Sequence, residues 1–241
     1  MSLLLRTCRP DMTSHQGFRW PRPDEDLGHG PGVAVAADWN PAPRCGGGLH
    51  GLPDGQGDAS LLNWSDDAVW MVVESIGAES VDLGGKVKVR SARVVFAGDR
   101  SGALACLRAA GVTGALPGDV VAAGYKGTAT AGDWGTATVG DGGTATVGDW
   151  GTATAGAYGT ATAGDRGTAT AGYGGTATAG YGGTATAGYG GTATAGDGGT
   201  AVLKWWDGRR YRLAVGYVGE GLLPDRPYRL DDDGNFIEVQ S

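Results

Sequence analysis

Between residues 127 and 199, threonine and alanine alternate in runs of four, and each run is closed by glycine. In an extended chain successive side chains point to opposite faces, so both Thr of a run share one face and the two small apolar residues share the other. Thr is β-branched and suits a pleated strand. The full unit is the octad Gly-Thr-Ala-Thr-Ala-Gly-x-x, which begins at Gly127 and returns at Gly135, Gly143, Gly151, Gly159, Gly167, Gly175, Gly183 and Gly191 without insertion. A further copy starts at Gly199 and decays into Val202-Leu203-Lys204-Trp205-Trp206, and residues 119–126 read as a degenerate leading copy. Degenerate ends on a regular middle are what capping coils look like. Each octad predicts one strand and one corner, with Gly132 and the two variable residues forming the corner and Gly135 admitting a tight bend.

One strand and one corner per octad means that two octads close one coil of 16 residues. The variable positions favour that period: Trp134 and Trp150 are 16 apart, as are Tyr173 and Tyr189, and Asp133, Asp149 and Asp165 fall on one row. Tyr173, Tyr181 and Tyr189 in successive octads do not follow the alternation. The predicted fold is mainly β: a short β-solenoid of about five coils, inward-facing Ala relieved only by Val139 and Val147, between a small α+β head and C-terminal β-hairpins. So thin a core buries little apolar area, so stability must rest on continuous backbone ladders, and the open ends need covers. The expected domains are 1–118 (head and N-terminal cap), 119–203 (solenoid) and 204–241 (C-terminal cap). In the head, residues 68–74, 86–89 and 93–96 predict strands. Asp99 predicts the N-cap of a helix through Ala110, ended by Gly111. At the C-terminus, Asp207-Gly208 predicts a hairpin turn, and residues 232–235 a second turn before Phe236.

Composition then narrows the classes. Half of the 48 glycines lie between Gly127 and Gly199, so the excess is a local repeat. Collagen is excluded, because there is no Gly-X-Y period and only 10 Pro. A flexible linker would need only composition, whereas the Thr placement is strict. The net charge of −7 has the wrong sign for binding nucleic acid. No apolar run approaches the roughly 18 residues of a membrane-spanning helix. The apolar stretch Leu3-Leu4-Leu5 is too short for a secretory leader, so a cytoplasmic location is the expectation. Cys8, Cys45 and Cys106 are odd in number and widely spaced, which implies neither a disulfide framework nor a metal site. No cofactor is expected.

Shifted in frame, the unit Ala171-Gly172-Tyr173-Gly174-Gly175-Thr176-Ala177-Thr178 closely resembles the octapeptide of bacterial ice nucleation proteins, Ala-Gly-Tyr-Gly-Ser-Thr-x-Thr. The likeness covers about a third of the chain and is best at Tyr173, Tyr181 and Tyr189. Here Gly stands for the family's Ser, Ala sits between the two Thr, and Asp often replaces Tyr. The resemblance implies a solenoid of 16-residue coils with Thr-x-Thr faces. The array is far shorter than a typical nucleator's, and the flanks do not match that family's membrane-targeting domain. The head, through Cys45-Gly46-Gly47-Gly48-Leu49-His50-Gly51, resembles uncharacterised bacterial and phage proteins, a likeness that implies no activity.

Two function classes follow. The first is a structural or surface-recognition protein whose Thr arrays meet ice, or which assembles with itself as a scaffold. Its surface residues are Thr128, Thr130, Thr136, Thr138, Thr144, Thr146, Thr152, Thr154, Thr160, Thr162, Thr168, Thr170, Thr176, Thr178, Thr184, Thr186, Thr192 and Thr194. Two Thr of one strand stand ~7 Å apart and neighbouring coils ~4.8 Å apart, a mesh similar to the oxygen spacing on ice planes. Self-association would use the corner aromatics Trp134, Trp150, Tyr158, Tyr173, Tyr181 and Tyr189, since exposed aromatic rows mark interfaces. The second class is an enzyme with its site in the head and the array as a stalk. Its candidates are Cys45, as a thiol activated by His50, with Asp54 nearby in sequence. A structural hydrogen bond of His50 in a Gly-rich loop is the plainer account. Gly46-Gly47-Gly48 lacks the Lys-Ser/Thr of a phosphate loop. Residues 231–235 look like a calcium loop without its distal Glu, which favours a simple turn. The row Asp133/Asp149/Asp165 would repel unless each carboxylate caps local backbone N–H groups or a cation such as Arg166 relieves it.

Overall fold

A computed structural model describes residues 2–14 and 17–240. The chain divides into two compact units, Met1–Thr113 and Gly114–Ser241. In the first, β1 (Leu3–Cys8), β3 (Leu49–Pro53), β5 (Val87–Gly98) and β4 (Val69–Asp82) close a ring of antiparallel pairings, with β2 (Val33–Val35) added along β5. The ring encloses Leu4, Cys8, Trp20, Met71, Val73, Val89 and Val94. Helix α1 (Arg100–Ala109) lies on this unit through Ala103, Leu104 and Leu107. Its N-cap is Asp99, whose carboxylate accepts from Gly102 N at 2.7 Å, and Gly111 follows the helix at φ 89°.

One expectation for the head changes. Residues 87–89 and 93–96 belong to the single strand β5, with Lys86 just before it, because Ser91 and Ala92 stay in register with β2 and Ala92 is fully buried. The Leu3-Leu4-Leu5 stretch is part of β1, with Leu4 and Leu5 buried on opposite faces.

In the second unit, one sheet stacks β6 (Val120–Ala123), β8 (Thr136–Val139), β10 (Thr152–Ala155), β12 (Thr168–Ala171), β14 (Thr184–Ala187) and β16 (Thr200–Trp206). The other stacks β7 (Thr128–Thr130), β9 (Thr144–Val147), β11 (Thr160–Ala163), β13 (Thr176–Ala179) and β15 (Thr192–Ala195). Neighbours within a sheet are parallel and offset by two octads, so Thr152 faces Thr136 on one side and Thr168 on the other. The 16-residue coil is therefore the structural unit. Every Ala of the runs Ala129 to Ala201 points inward at 4% exposure or less, as do Val139 and Val147.

At each corner the N–H after the variable pair returns to the glycine before it, as from Gly135 N to Gly132 O at 3.1 Å. The second variable residue has positive φ throughout: 59° at Trp134 and Trp150, 56° at Tyr158, 54° at Arg166, and 61–72° where glycine stands there. That is the signature of a type II turn. Gly135 therefore serves a different need from the bend expected of it. Its φ is ordinary, but a Cβ there would lie 2.6 Å from Ala131 Cβ and 2.7 Å from Gly132 O. Space, not dihedral freedom, demands glycine at the start of each octad.

Beyond the array, β16 turns back through Asp207-Gly208 into antiparallel β17 (Tyr211–Tyr217). The other sheet is closed by β18 (Pro227–Leu230), antiparallel to β15, and by β19 (Phe236–Glu238). Val218, Leu222 and Tyr228 cover the end of the alanine core. Parallel stacking thus ends in two antiparallel hairpins.

Candidate functional site

The repeat presents two sheet faces of threonine. Each carries two files that run along the coil axis, for example Thr152, Thr168 and Thr184 on one sheet and Thr160, Thr176 and Thr192 on the other. Not one of the eighteen predicted Thr is buried. The pairings carry no register slip, so hydroxyl and methyl groups repeat at the inter-strand spacing of about 4.8 Å. Alternation in the sequence made this surface legible.

The corners hold the predicted aromatics in two ladders. Trp134 and Trp150 stack at 5.2 Å between ring centres, only 6° from parallel, and the Arg166 guanidinium lies 4.9 Å over Trp150. On the opposite corner Tyr158 meets Tyr173 at 5.3 Å, Tyr173 meets Tyr189 at 6.0 Å, and Tyr211 extends the row. All six predicted aromatics, Tyr181 included, are exposed.

The Asp row behaves differently from the local capping expected of it. Asp133 Oδ1 accepts from Asp149 N at 3.0 Å, Asp149 Oδ1 from Asp165 N at 2.8 Å, and Asp165 Oδ1 from Tyr181 N at 2.9 Å. Each carboxylate thus caps the next coil, and Asp141 does the same for Ala157 on the other corner. The bond occupies the space a side chain would need: a Cβ on Gly148 would strike Asp133 Oδ1 and lie 2.7 Å from Asp133 N. Corner glycine and corner aspartate are therefore one device. An Asp149→Ala variant is expected to lower the melting midpoint of the array by a few degrees. Asp149→Asn, which keeps the acceptor and removes the like charge, should stay near wild type; calorimetry on the three proteins checks this.

In the head, Cys45 and His50 both line one cleft of about 930 Å³, together with Arg6, Trp20, Phe18, Asp38 and Lys86. Asp54 is not among its described lining residues; its N–H donates to Leu3 O at the end of β3. Gly46-Gly47-Gly48 leads into strand β3, not a helix, and the fully buried Lys88 donates to the carbonyls of Arg44 at 2.9 Å and Gly46 at 3.2 Å. The glycine loop therefore wraps an ammonium. Burial lowers the pKa of His50, with Lys86, Arg6 and Lys88 adding to the shift, so the ring is neutral at pH 7. Burial likewise pushes the Arg6 guanidinium down to about 10, still protonated at neutral pH.

Sequence reasoning missed Arg6, Trp20 and Lys86 as cleft residues. The available signal was Arg6 at the alternating position between Leu4 and Cys8, on what becomes the buried face of β1. The calcium-like residues 231–235 form the turn between β18 and β19, with Asp231 Oδ1 accepting from Asp233 N and Asn235 N. Cys8 is buried, its thiol facing Met71 Sδ at 3.8 Å, while Cys45 is exposed. Among the described residues no helix is long and apolar enough to cross a membrane.

Coils of two octads, Ala inside and Thr outside, define a β-solenoid repeat protein. Its repeat is similar to ice nucleation proteins: 36% identical over 104 residues to that of Pseudomonas fluorescens, covering 42% of this chain and 8% of the relative. To a Pseudomonas syringae ice nucleation protein it is 36% identical over 101 residues, 41% of this chain and 8% of the relative. That of Pantoea ananas is 32% identical over 104 residues, 42% of this chain and 9% of the relative. The matched part thus spans less than a tenth of each relative. No protein-family profile matches the chain, and no solved structure does.

Proposed function

We propose that the solenoid is an ice-binding surface. The observation that carries this reading is the in-register Thr files on both sheets, all turned outward and unbroken from coil to coil. Each Thr offers a hydroxyl that bonds water and a methyl that orders it, at spacings of ~7 Å along the strand and ~4.8 Å across coils. Five coils extend only ~24 Å, enough to adsorb to an existing crystal and too little to template a new nucleus. Nucleation would then require several chains assembled side by side or end to end, with the exposed corner aromatics as the contact. Similarity to the repeat of ice nucleation proteins supports the same reading.

Ice-crystal morphology in the presence of the purified chain tests it. Wild-type protein is expected to facet growing crystals, with little rise in freezing temperature while light scattering shows a monomer. Because both sheets carry Thr, Thr152, Thr168 and Thr184 changed together to Tyr should weaken shaping. Adding Thr160→Tyr, Thr176→Tyr and Thr192→Tyr should abolish it, with far-ultraviolet spectra unchanged. Round, freely growing crystals at high concentrations of wild type would overturn the proposal.

A further inference from the structure

Among the described residues, three that line the head cleft each carry a buried polar atom with no hydrogen-bond partner: Arg6 Nε, Trp20 Nε1 and His50 Nε2. A buried polar group left unsatisfied is costly, and native structures hold few of them. Their gathering on the lining residues of one cleft is what a bound acceptor would account for. Their placement is fixed by the fold. Trp20 is fully buried, the Arg6 guanidinium stacks 4.0 Å over its ring, and Arg6 Nη1 donates to His50 O at 2.9 Å across strands β1 and β3. Arg6 enters none of the ion pairs found among the described residues.

Cations outnumber carboxylates around the cleft. Arg6 comes from β1, Lys86 immediately precedes β5, and Lys88, within β5, bears on His50 electrostatically. The carboxylate in the lining, Asp38, is exposed to solvent. An arginine Nε and an indole N–H are donors only. Unfilled donors beside an unpaired guanidinium match an acceptor with negative charge.

We infer that the cleft is a binding site for a small oxyanion, a carboxylate, phosphate or sulfate group, held by Arg6 Nε, Trp20 Nε1 and His50. Charge-assisted bonds from Arg to such groups are among the strong hydrogen bonds of proteins. The anion also reverses the electrostatics at His50. Without it, burial and the cations Arg6, Lys86 and Lys88 hold the ring neutral; with it, the protonated ring gains a partner and Nε2 becomes a donor. Uptake of the anion therefore draws in a proton, and affinity rises as pH falls through the ordinary histidine range of about 6.5. The site is independent of the threonine faces.

Nitrogen-15 NMR of the full chain, titrated with sodium sulfate, phosphate and acetate, tests this directly. The Trp20 indole and Arg6 Nε–H signals are expected to move and saturate with at least one anion. Comparison of acetate with the tetrahedral anions separates a carboxylate from a phosphate or sulfate ligand. Arg6→Gln and Trp20→Phe should each weaken binding at least ~10-fold, as loss of a charge-assisted or donor bond implies. Trp20→Phe keeps the ring under Arg6 and covers the case in which Arg6→Gln fails to fold. Sulfate does not titrate near neutrality, so its affinity should rise from pH 7.5 to pH 5.5 in wild type and stay level in His50→Gln, pH values spanning the ordinary histidine pKa of about 6.5. Signals that stay fixed with all three anions, or binding undiminished in the folded variants, would overturn the inference.

Discussion

Ala161→Leu is expected to destabilise the array strongly, while Thr162→Leu, one residue away, leaves its stability nearly unchanged. Ala161 is fully buried in a column with Ala145 and Ala177, and the methyls of the facing sheet close the remaining space. Three added carbons cannot be accommodated by one coil alone, because each strand is hydrogen-bonded to coils above and below. Overpacking of a tight core costs about 1–3 kcal/mol, and the loss here should lie at the upper end of that range. For a unit of this size that lowers the melting midpoint by about 5–15 °C. Thr162 points outward, so a leucine there meets solvent and should shift the midpoint by little. Equal effects at the two positions, measured by calorimetry, would contradict the assignment of faces.

Removing residues 204–241 should convert the protein into aggregates or filaments. The deletion strips β17, β18 and β19 and cuts β16 short, so both sheets lose their antiparallel covers. It also uncovers the core end now shielded by Val218, Leu222 and Tyr228. Flat, in-register edge strands with open N–H and C=O groups are templates for further pairing. Size-exclusion chromatography and thioflavin fluorescence read the outcome. A truncated chain that stays monomeric, with an unchanged melting midpoint, would show that the hairpins are not needed as covers.

The array was legible in the sequence because a period of two fixes faces and a period of eight fixes corners. Both are local properties. The helix from Asp99 and the Asp207-Gly208 hairpin were legible for the same reason, since cap and turn chemistry act within a few residues. The head strands β1, β2 and β3 were less so: each is short, and their partners are distant in sequence, as Leu4 is from Val73.

What the sequence alone determined is the repeat: which residue of each octad points inward and where the corners fall; it favoured a 16-residue coil, which the strand pairing then established. Tertiary structure decided everything that depends on a neighbour brought from elsewhere. Asp133 caps the N–H of Asp149 instead of its own turn, because the coil stacked on it places that donor within reach. Gly135 is required by the Ala131 methyl and the Gly132 carbonyl, a clash that exists only once the corner has closed. Arg6, Trp20 and His50 stand far apart along the chain and meet because antiparallel pairing closes a ring around the core, and a ring of non-local pairings leaves no periodic trace in the sequence.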